Sequence, residues 1–274
     1  GAAHELKAII AADPETTAAY PRYVEAAKRA GLIDEATVLF ATIHDPALAA
    51  LGDGLCRAAS GDRRGAIERL VFALSARPDL TAAVRPLYDA AQKEGLLDAT
   101  ATRLAGLEET IAAGTGVRLA RAEMIAASKP TEAIELVDGV LAGLPGSLDA
   151  LDSRARVLDR AGKGQEAAAA WTDLLAAARE AGDRLLTARA TINLAIQRYY
   201  LREHPASRES ARDAATLFEA LGDRPNQIRA LNNLATFLAF TDGLAEATHL
   251  SGQALTLARA IDDPHMLNLV LDTQ

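Results

Sequence analysis

The sequence predicts an all-α protein, an α-solenoid of about seven antiparallel helix pairs that follow one another along the chain. The first reason is repetition: the letters INLA at 192–195 return as NNLA at 232–235. The second is a Gly-x4-Ala pattern that separates apolar helical stretches. The third is composition, because alanine and leucine dominate and aromatic residues make up only 4% of the chain. Small aliphatic side chains suit helices that pack closely.

The C-terminal part of the chain carries further markers with the same spacing of 40 residues. These markers are independent of the INLA and NNLA motifs, and all of them share one register. The agreement therefore indicates a true repeat. The corresponding pairs are Gly182 and Gly222, Asp183 and Asp223, and Ala214 and Ala254.

The Gly-x4-Ala pattern has a physical meaning at the turn between two helices. Glycine ends the first helix, because it takes the left-handed conformation without steric cost. The alanine, early in the second helix, lets that helix approach the first closely. The pattern occurs as Gly31 with Ala36, Gly61 with Ala66, and Gly162 with Ala167.

These segments resemble tetratricopeptide (TPR) repeats, which place small, apolar and turn residues at fixed positions in about 34 residues. The resemblance implies a right-handed solenoid. The segment from Ala47 supplies Gly54, Gly61, Ala66, Leu70, Ala73 and Pro78 at the family's positions. The segment from Leu148 supplies Ala155, Gly162, Ala167, Trp171 and Leu174, and the segment from Ile228 supplies Ala235, Ala247 and Ala254.

The resemblance is weak between residues 81 and 130. Tyr88 stands where the family has a small residue, and the alanine of the following helix is displaced to Ala99. Arg121 also falls at a position where a small residue is expected. We therefore expect this stretch to depart from regular repeat packing.

The repeats predict one domain over residues 1–274, with repeats of about 34 residues in 1–175 and of 40 residues in 176–274. Residues 4–14 read as a second helix without a first, and residues 266–274 as a first helix without a second. Because both ends lack a polar capping repeat, we expect a fragment of a larger protein. We also expect weak self-association through these uncapped ends.

Bulk properties exclude several classes of protein. The formal net charge of −8 disfavours binding to nucleic acid, which needs a basic surface. The absence of a long apolar stretch or a signal peptide predicts a cytoplasmic protein that does not bind membranes. Arginine outnumbers lysine, which suggests a GC-rich bacterial genome. The single cysteine, Cys56, is expected to be a buried, inert thiol.

No pattern in the sequence indicates catalysis, so we predict no enzyme, no catalytic residues, no metal and no cofactor. The turn at 161–164 contains Gly-Lys-Gly but lacks the glycine spacing and the preceding strand of a phosphate loop. The five histidines have no metal-ligand spacing. They are His4, His44, His204, His249 and His265.

The TPR resemblance implies a concave groove lined by the first helix of each pair, and there we place the partner-binding residues. Asparagine can pair with a peptide backbone, arginine can bind a carboxylate, and aromatic rings supply contact area. An alternative is that Asn193 and Asn233 merely bridge adjacent helices. The family's carboxylate clamp is absent, because Asp152 and Arg156 stand where it has Lys and Asn. The candidates are Arg189, Asn193, Tyr200, Arg229, Asn232, Asn233 and Phe240.

The leading hypothesis is a scaffold module that binds a protein or peptide partner of acidic character. An alternative is the sensor or autoinhibitory arm of a larger bacterial signalling regulator, whose effector domain is a kinase, protease or transcription factor. A third is an enzyme or small-ligand binder that uses the superhelix as a cradle.

Overall fold

A computed structural model describes residues 2–110, 114–239, 243–261 and 263–272. Within these ranges the chain forms sixteen α-helices, one short 3₁₀ helix and no β-strand. The prediction of an all-α fold is confirmed. The helices group into two compact units, an N-terminal unit (residues 1–145) and a C-terminal unit (residues 146–274).

The N-terminal unit consists of helix pairs in which each helix packs mainly on its neighbours in the chain. A 3₁₀ helix at Thr81–Ala83 precedes α6. The helices are α1 (Ala2–Ala12), α2 (Ala19–Arg29), α3 (Ile33–Ala41), α4 (Pro46–Ala59), α5 (Arg63–Ala76), α6 (Val84–Glu94), α7 (Leu97–Thr110), α8 (Thr115–Ile125) and α9 (Pro130–Gly143).

The C-terminal unit is more regular. Its helices from α11 to α15 each have 16 or 17 residues, whereas α10 has 13. The helices thus lengthen where the sequence repeat reaches 40 residues. They are α10 (Leu148–Arg160), α11 (Gly164–Glu180), α12 (Arg184–Tyr200), α13 (His204–Ala220), α14 (Arg224–Ala239), α15 (Leu244–Ala260) and α16 (Pro264–Leu271).

The small residues of the repeat lie where the two helices of a pair cross. Ala66 and Ala167 are completely buried, and Ala247 is 5% exposed. Gly54 meets the next helix just as closely, because a Cβ atom added there would lie 2.8 Å from Cγ of Leu70. The prediction that these positions are buried crossing points is confirmed. Close helix contact therefore depends on the absence of larger side chains.

The turns are made as the sequence predicts. Gly61 and Gly162 have φ angles of 90° and 72°, in the left-handed region that favours glycine. In the C-terminal unit a left-handed residue recurs every 20 residues, at 162, 182, 202 and 222. The third of these is Arg202, with φ 67°, the one non-glycine residue with positive φ in the described ranges.

The irregular stretch around α6 differs from regular repeat packing, as expected. Tyr88 occupies the small site and is nevertheless buried, at 6% exposure. Its ring takes the space that a partner helix would need, and α6 packs more extensively against α8 than against α7. The prediction that Ala99 is the displaced crossing residue is wrong, because Ala99 is exposed and Thr100 and Ala101 point inward.

The start of α8 is held by the segment that follows α5. The backbone N–H of Val117 donates to the carbonyl of Pro78 at 3.0 Å, and that of Thr115 donates to Oδ1 of Asp79 at 2.7 Å. Gly116 permits this approach, because a Cβ atom there would lie 2.9 Å from the backbone of Leu80. These contacts fix α8 by a route that ordinary repeats do not use.

Arg121 on α8 replaces a small residue with an ion-pair network. Its guanidinium binds Glu108 of α7 and Glu132 of α9. The charge is partly buried, so the two carboxylates compensate for the loss of hydration. A position that elsewhere allows close packing here links three successive helices through electrostatics.

Candidate partner-binding surface

Helices α12 and α14 carry the residues that the sequence analysis selected. Each helix is started by an aspartate cap: Oδ1 of Asp183 accepts from the N–H of Leu186 at 2.9 Å, and Oδ1 of Asp223 accepts from that of Asn226 at 3.3 Å. The selected residues on each helix are four and seven positions apart, which places them on one side of it. We call this set the first-helix face: Arg189, Asn193, Tyr200, Arg229 and Asn233.

Two asparagines on this face have unused hydrogen-bonding groups. Asn193 and Asn233 are half-buried, and within the described residues neither side chain makes a hydrogen bond. The alternative that they bridge adjacent helices is therefore not what the structure shows. Each offers one acceptor and two donors at the surface of the C-terminal unit.

Two of the predicted residues do not contribute to the described face. Asn232 is only 4% exposed, so its side chain lies within the helix packing and the prediction that it contacts a partner does not fit the structure. One position along a helix rotates a side chain by about 100°, enough to separate Asn232 from Asn233. Phe240 lies outside the described residues.

Arg189 belongs to an ionic cluster with α10. Its Nη2 lies 3.5 Å from Oδ2 of Asp152, which also binds the guanidinium of Arg156. The Asp152–Arg156 pair is buried, whereas the Arg189 side chain is 31% exposed. The other oxygen of Asp152, Oδ1, is buried without a hydrogen-bond partner. Arg189 is thus held by its longer, more solvated contact and presents its remaining donors outward.

The aromatic part of the face is larger than the sequence analysis found. Tyr200 is 73% exposed and meets Tyr199 edge-on at 5.8 Å between ring centroids. Tyr199 stacks on Phe237 of α14 at 4.5 Å, so the exposed ring rests on an ordered aromatic pair. Phe237 was missed because it follows Tyr199 by 38 residues rather than by a full repeat of 40. The same offset joins Gln197 to Asp159 at 2.6 Å, so a search one residue pair short of the repeat would have found it.

Arg229 is the most accessible cation of the face. It is exposed, and within the described residues it has no ion-pair partner. A guanidinium in this state can bind a carboxylate through two parallel hydrogen bonds. Arg189 and Arg229 occupy equivalent positions on successive first helices, so the face presents a repeated basic group on an acidic chain.

Other chemistry is limited within the described ranges. No group of three or more metal-ligating side chains occurs there. None of the helices described combines the length and hydropathy that a bilayer crossing requires. Cys56 is 2% exposed, and burial raises the pKa of its thiol, as suits the predicted inert cysteine.

The sequence matches no protein-family model and no curated protein, but solved structures match almost all of the chain. The Rap protein complexed with competence and sporulation factor has a TM-score of 0.56 at 14% identity, covering 94% of this chain and 85% of that one. A STAND signal transduction ATPase with a tetratricopeptide repeat sensor, from Pyrococcus horikoshii, has a TM-score of 0.61 at 15% identity, covering 94% and 43%.

A chain of the APC/C hetero-tetramer Cut9–Hcn1 is also similar, with a TM-score of 0.56 at 13% identity, covering 99% of this chain and 52% of that one. The protein therefore spans about half the length of this structure and less than half of the ATPase. At such low identities the likeness shows the fold alone. The protein has the fold of tetratricopeptide-repeat proteins: an all-α repeat structure of antiparallel helix pairs.

Proposed function

We propose that the protein is an interaction module that binds a peptide segment or a partner protein on its first-helix face. The observation that carries this proposal is the pair Asn193 and Asn233. Both amides are half-buried on successive first helices, forty positions apart, and neither is used within the described residues. A half-buried amide loses hydration without gaining a bond, and a bound peptide backbone would supply the missing partners.

The similar structures support a role in protein interaction. One is a Rap protein in complex with competence and sporulation factor, and another is a hetero-tetramer. Repeat scaffolds of this fold support the further proposal that the chain has no catalytic activity of its own. The cytoplasmic setting and the self-association through the ends remain predictions.

The basic groups of the face favour an acidic partner. Arg229 has a free guanidinium, and Arg189 keeps donors beyond its long contact with Asp152. With a net charge of −8 on the whole chain, such a local basic pair would direct an acidic segment to this face. Tyr200 would then cover an apolar side chain next to the bound carboxylate.

The test is selection of peptides from a displayed random library with the wild-type protein, followed by affinity measurement. The double variant Asn193→Ala and Asn233→Ala should bind the selected peptides more weakly, by about 1–3 kcal/mol for each lost buried hydrogen-bond pair. A matched control replaces two exposed amides on other helices, Gln92 and Gln165, with alanine. Equal binding by both double variants would contradict the proposal.

A second candidate is the sensor or autoinhibitory arm of a larger bacterial regulator. The specific observation in its favour is the similarity to the STAND ATPase, whose repeat region is a sensor and of which this chain covers 43%. The two candidates are compatible, because a sensor must also bind a ligand or partner. The sequence of the surrounding gene separates them: an adjoining effector domain supports the sensor, and a free-standing repeat gene contradicts it.

A further inference from the structure

A cleft of about 820 Å³ lies in the C-terminal unit on the side opposite to the packing between first helices. Its walls are the second helices α13 and α15, and its floor is α14. Leu231 and Leu234 form the apolar floor, with Ala215 of α13 beside them. The volume falls within the range of specific binding sites in proteins, about 300–1,000 Å³.

The walls of the cleft carry little uncompensated charge. Arg212, at one end, is neutralised by Glu246, with 2.8 Å between Nη2 and Oε1. Glu219 and Arg224 lie together at the other end and have opposite charges. The α15 wall offers hydroxyl and amide groups such as those of Thr256 and Gln253. An occupant complementary to these walls has an uncharged stripe facing inward.

The repeat explains why this gap is open. Forty residues earlier, Leu175 occupies the position of Ala215, and Arg212 occupies the position of Gly252. Two large side chains at the earlier gap are thus replaced by two of the smallest residues at this one. The cleft is a local departure from the repeat rather than a property of the solenoid.

Gly252 has no packing reason within the chain. It lies in the interior of α15, where glycine costs about 0.5–1 kcal/mol relative to alanine. A Cβ atom added there would meet nothing within 4 Å. The missing side chain leaves room for the backbone of another molecule to approach α15.

The length of the cleft fits a short helix. Its lining spans Arg212 to Glu219 on one wall and Thr248 to Leu257 on the other. At 1.5 Å per residue these stretches are about 10 to 14 Å long. An amphipathic helix that inserts side chains at i, i+4 and i+7 covers the same length.

We propose that the cleft between α13 and α15 is a second docking site, which takes an amphipathic helix of a partner protein. The inserted stripe is uncharged, with leucine-sized side chains over Leu231 and Leu234 and small residues against Gly252. This site is separate from the first-helix face, so it does not depend on the function proposed for that face.

The probe is a fluorescein-labelled synthetic helix of about 15 residues, with leucine at i, i+4 and i+7, alanine between them, and Gln, Lys and Glu elsewhere. Binding is measured by fluorescence anisotropy against the whole protein. We expect saturable binding that weakens at least tenfold for Gly252→Arg, which introduces the residue found at the equivalent position of the earlier gap. Gly139→Arg is the matched control, because Gly139 is also a helix-interior glycine with open space around it.

Further variants separate the alternatives. Ala215→Leu fills the cleft from the other wall and should weaken binding similarly, and circular dichroism checks that each variant folds. A probe with proline at its centre should not bind, since proline breaks the helix. The proposal is overturned by the absence of saturable binding, by equal binding to the wild type and Gly252→Arg, by equal binding of the proline probe, or by loss of binding in Asn193→Ala with Asn233→Ala.

Discussion

Helices α11 to α15 and helices α6 to α8 derive from the same kind of repeat but pack differently. In the first region the crossing positions hold Ala167, Ser207 and Ala247, all buried, and each helix packs on the next. In the second region Tyr88 and Arg121 replace small residues, and α6 turns towards α8. The comparison teaches that the repeat signature specifies how closely two helices approach. Where it is lost, other contacts decide which helices pair.

The largest effect is expected at Tyr88. If the irregular region is stabilised by its own packing, Tyr88→Ala should lower the free energy of unfolding by about 3–5 kcal/mol, because it leaves a cavity in the core. The repeat consensus predicts the opposite, since it favours a small residue there. Chemical denaturation measures the difference. Tyr200→Ala is the control, because Tyr200 is 73% exposed; a loss below 1 kcal/mol at Tyr88 would favour the consensus.

A smaller effect is expected in the regular region. Ala167→Leu forces a large side chain into a fully buried helix crossing and should cost about 1–3 kcal/mol by overpacking. Ala169→Leu, at an exposed position of the same helix, should change stability little. An unchanged denaturation midpoint for Ala167→Leu would mean that helix approach is not limited at this position.

Ser207 lies halfway between Ala167 and Ala247 in the repeat, and its hydroxyl is buried without a hydrogen-bond partner. Removing an unsatisfied buried hydroxyl should help, so we expect Ser207→Ala to raise the free energy of unfolding by about 1 kcal/mol. The reciprocal change, Ala167→Ser, should lower it. Thermal denaturation of both variants tests this, and a destabilised Ser207→Ala would indicate that the hydroxyl does find a partner.

The smallest effect is expected at the turn after α12. Arg202 adopts the left-handed conformation that glycine adopts at 182 and 222. Arg202→Gly should therefore stabilise the fold by about 0.5–1 kcal/mol, and Gly222→Ala should destabilise it by a similar amount. Equal midpoints for the wild type and both variants would show that turn strain is not felt in the folded protein.

Much of this structure could be predicted because it depends on residues inside one repeat. A left-handed glycine such as Gly162 ends a helix wherever it stands, and an alanine such as Ala167 must be buried where two helices cross. The candidate face could be predicted only in part. Asn193 and Asn233 are placed by helical periodicity, but the burial of Asn232 depends on how α14 is rotated against its neighbours.

By itself, the sequence determined the helix pairs, their turns, the repeat lengths and the small residues that set helix spacing, because each follows from local conformation and volume. Only the tertiary structure decided which residues meet between repeats. Arg189 pairs with Asp152 at a separation of 37 residues, and Gln197 with Asp159 at 38, although the repeat is 40. That offset is the stagger between successive first helices. It arises from the packing of whole helices against each other, so no single repeat encodes it.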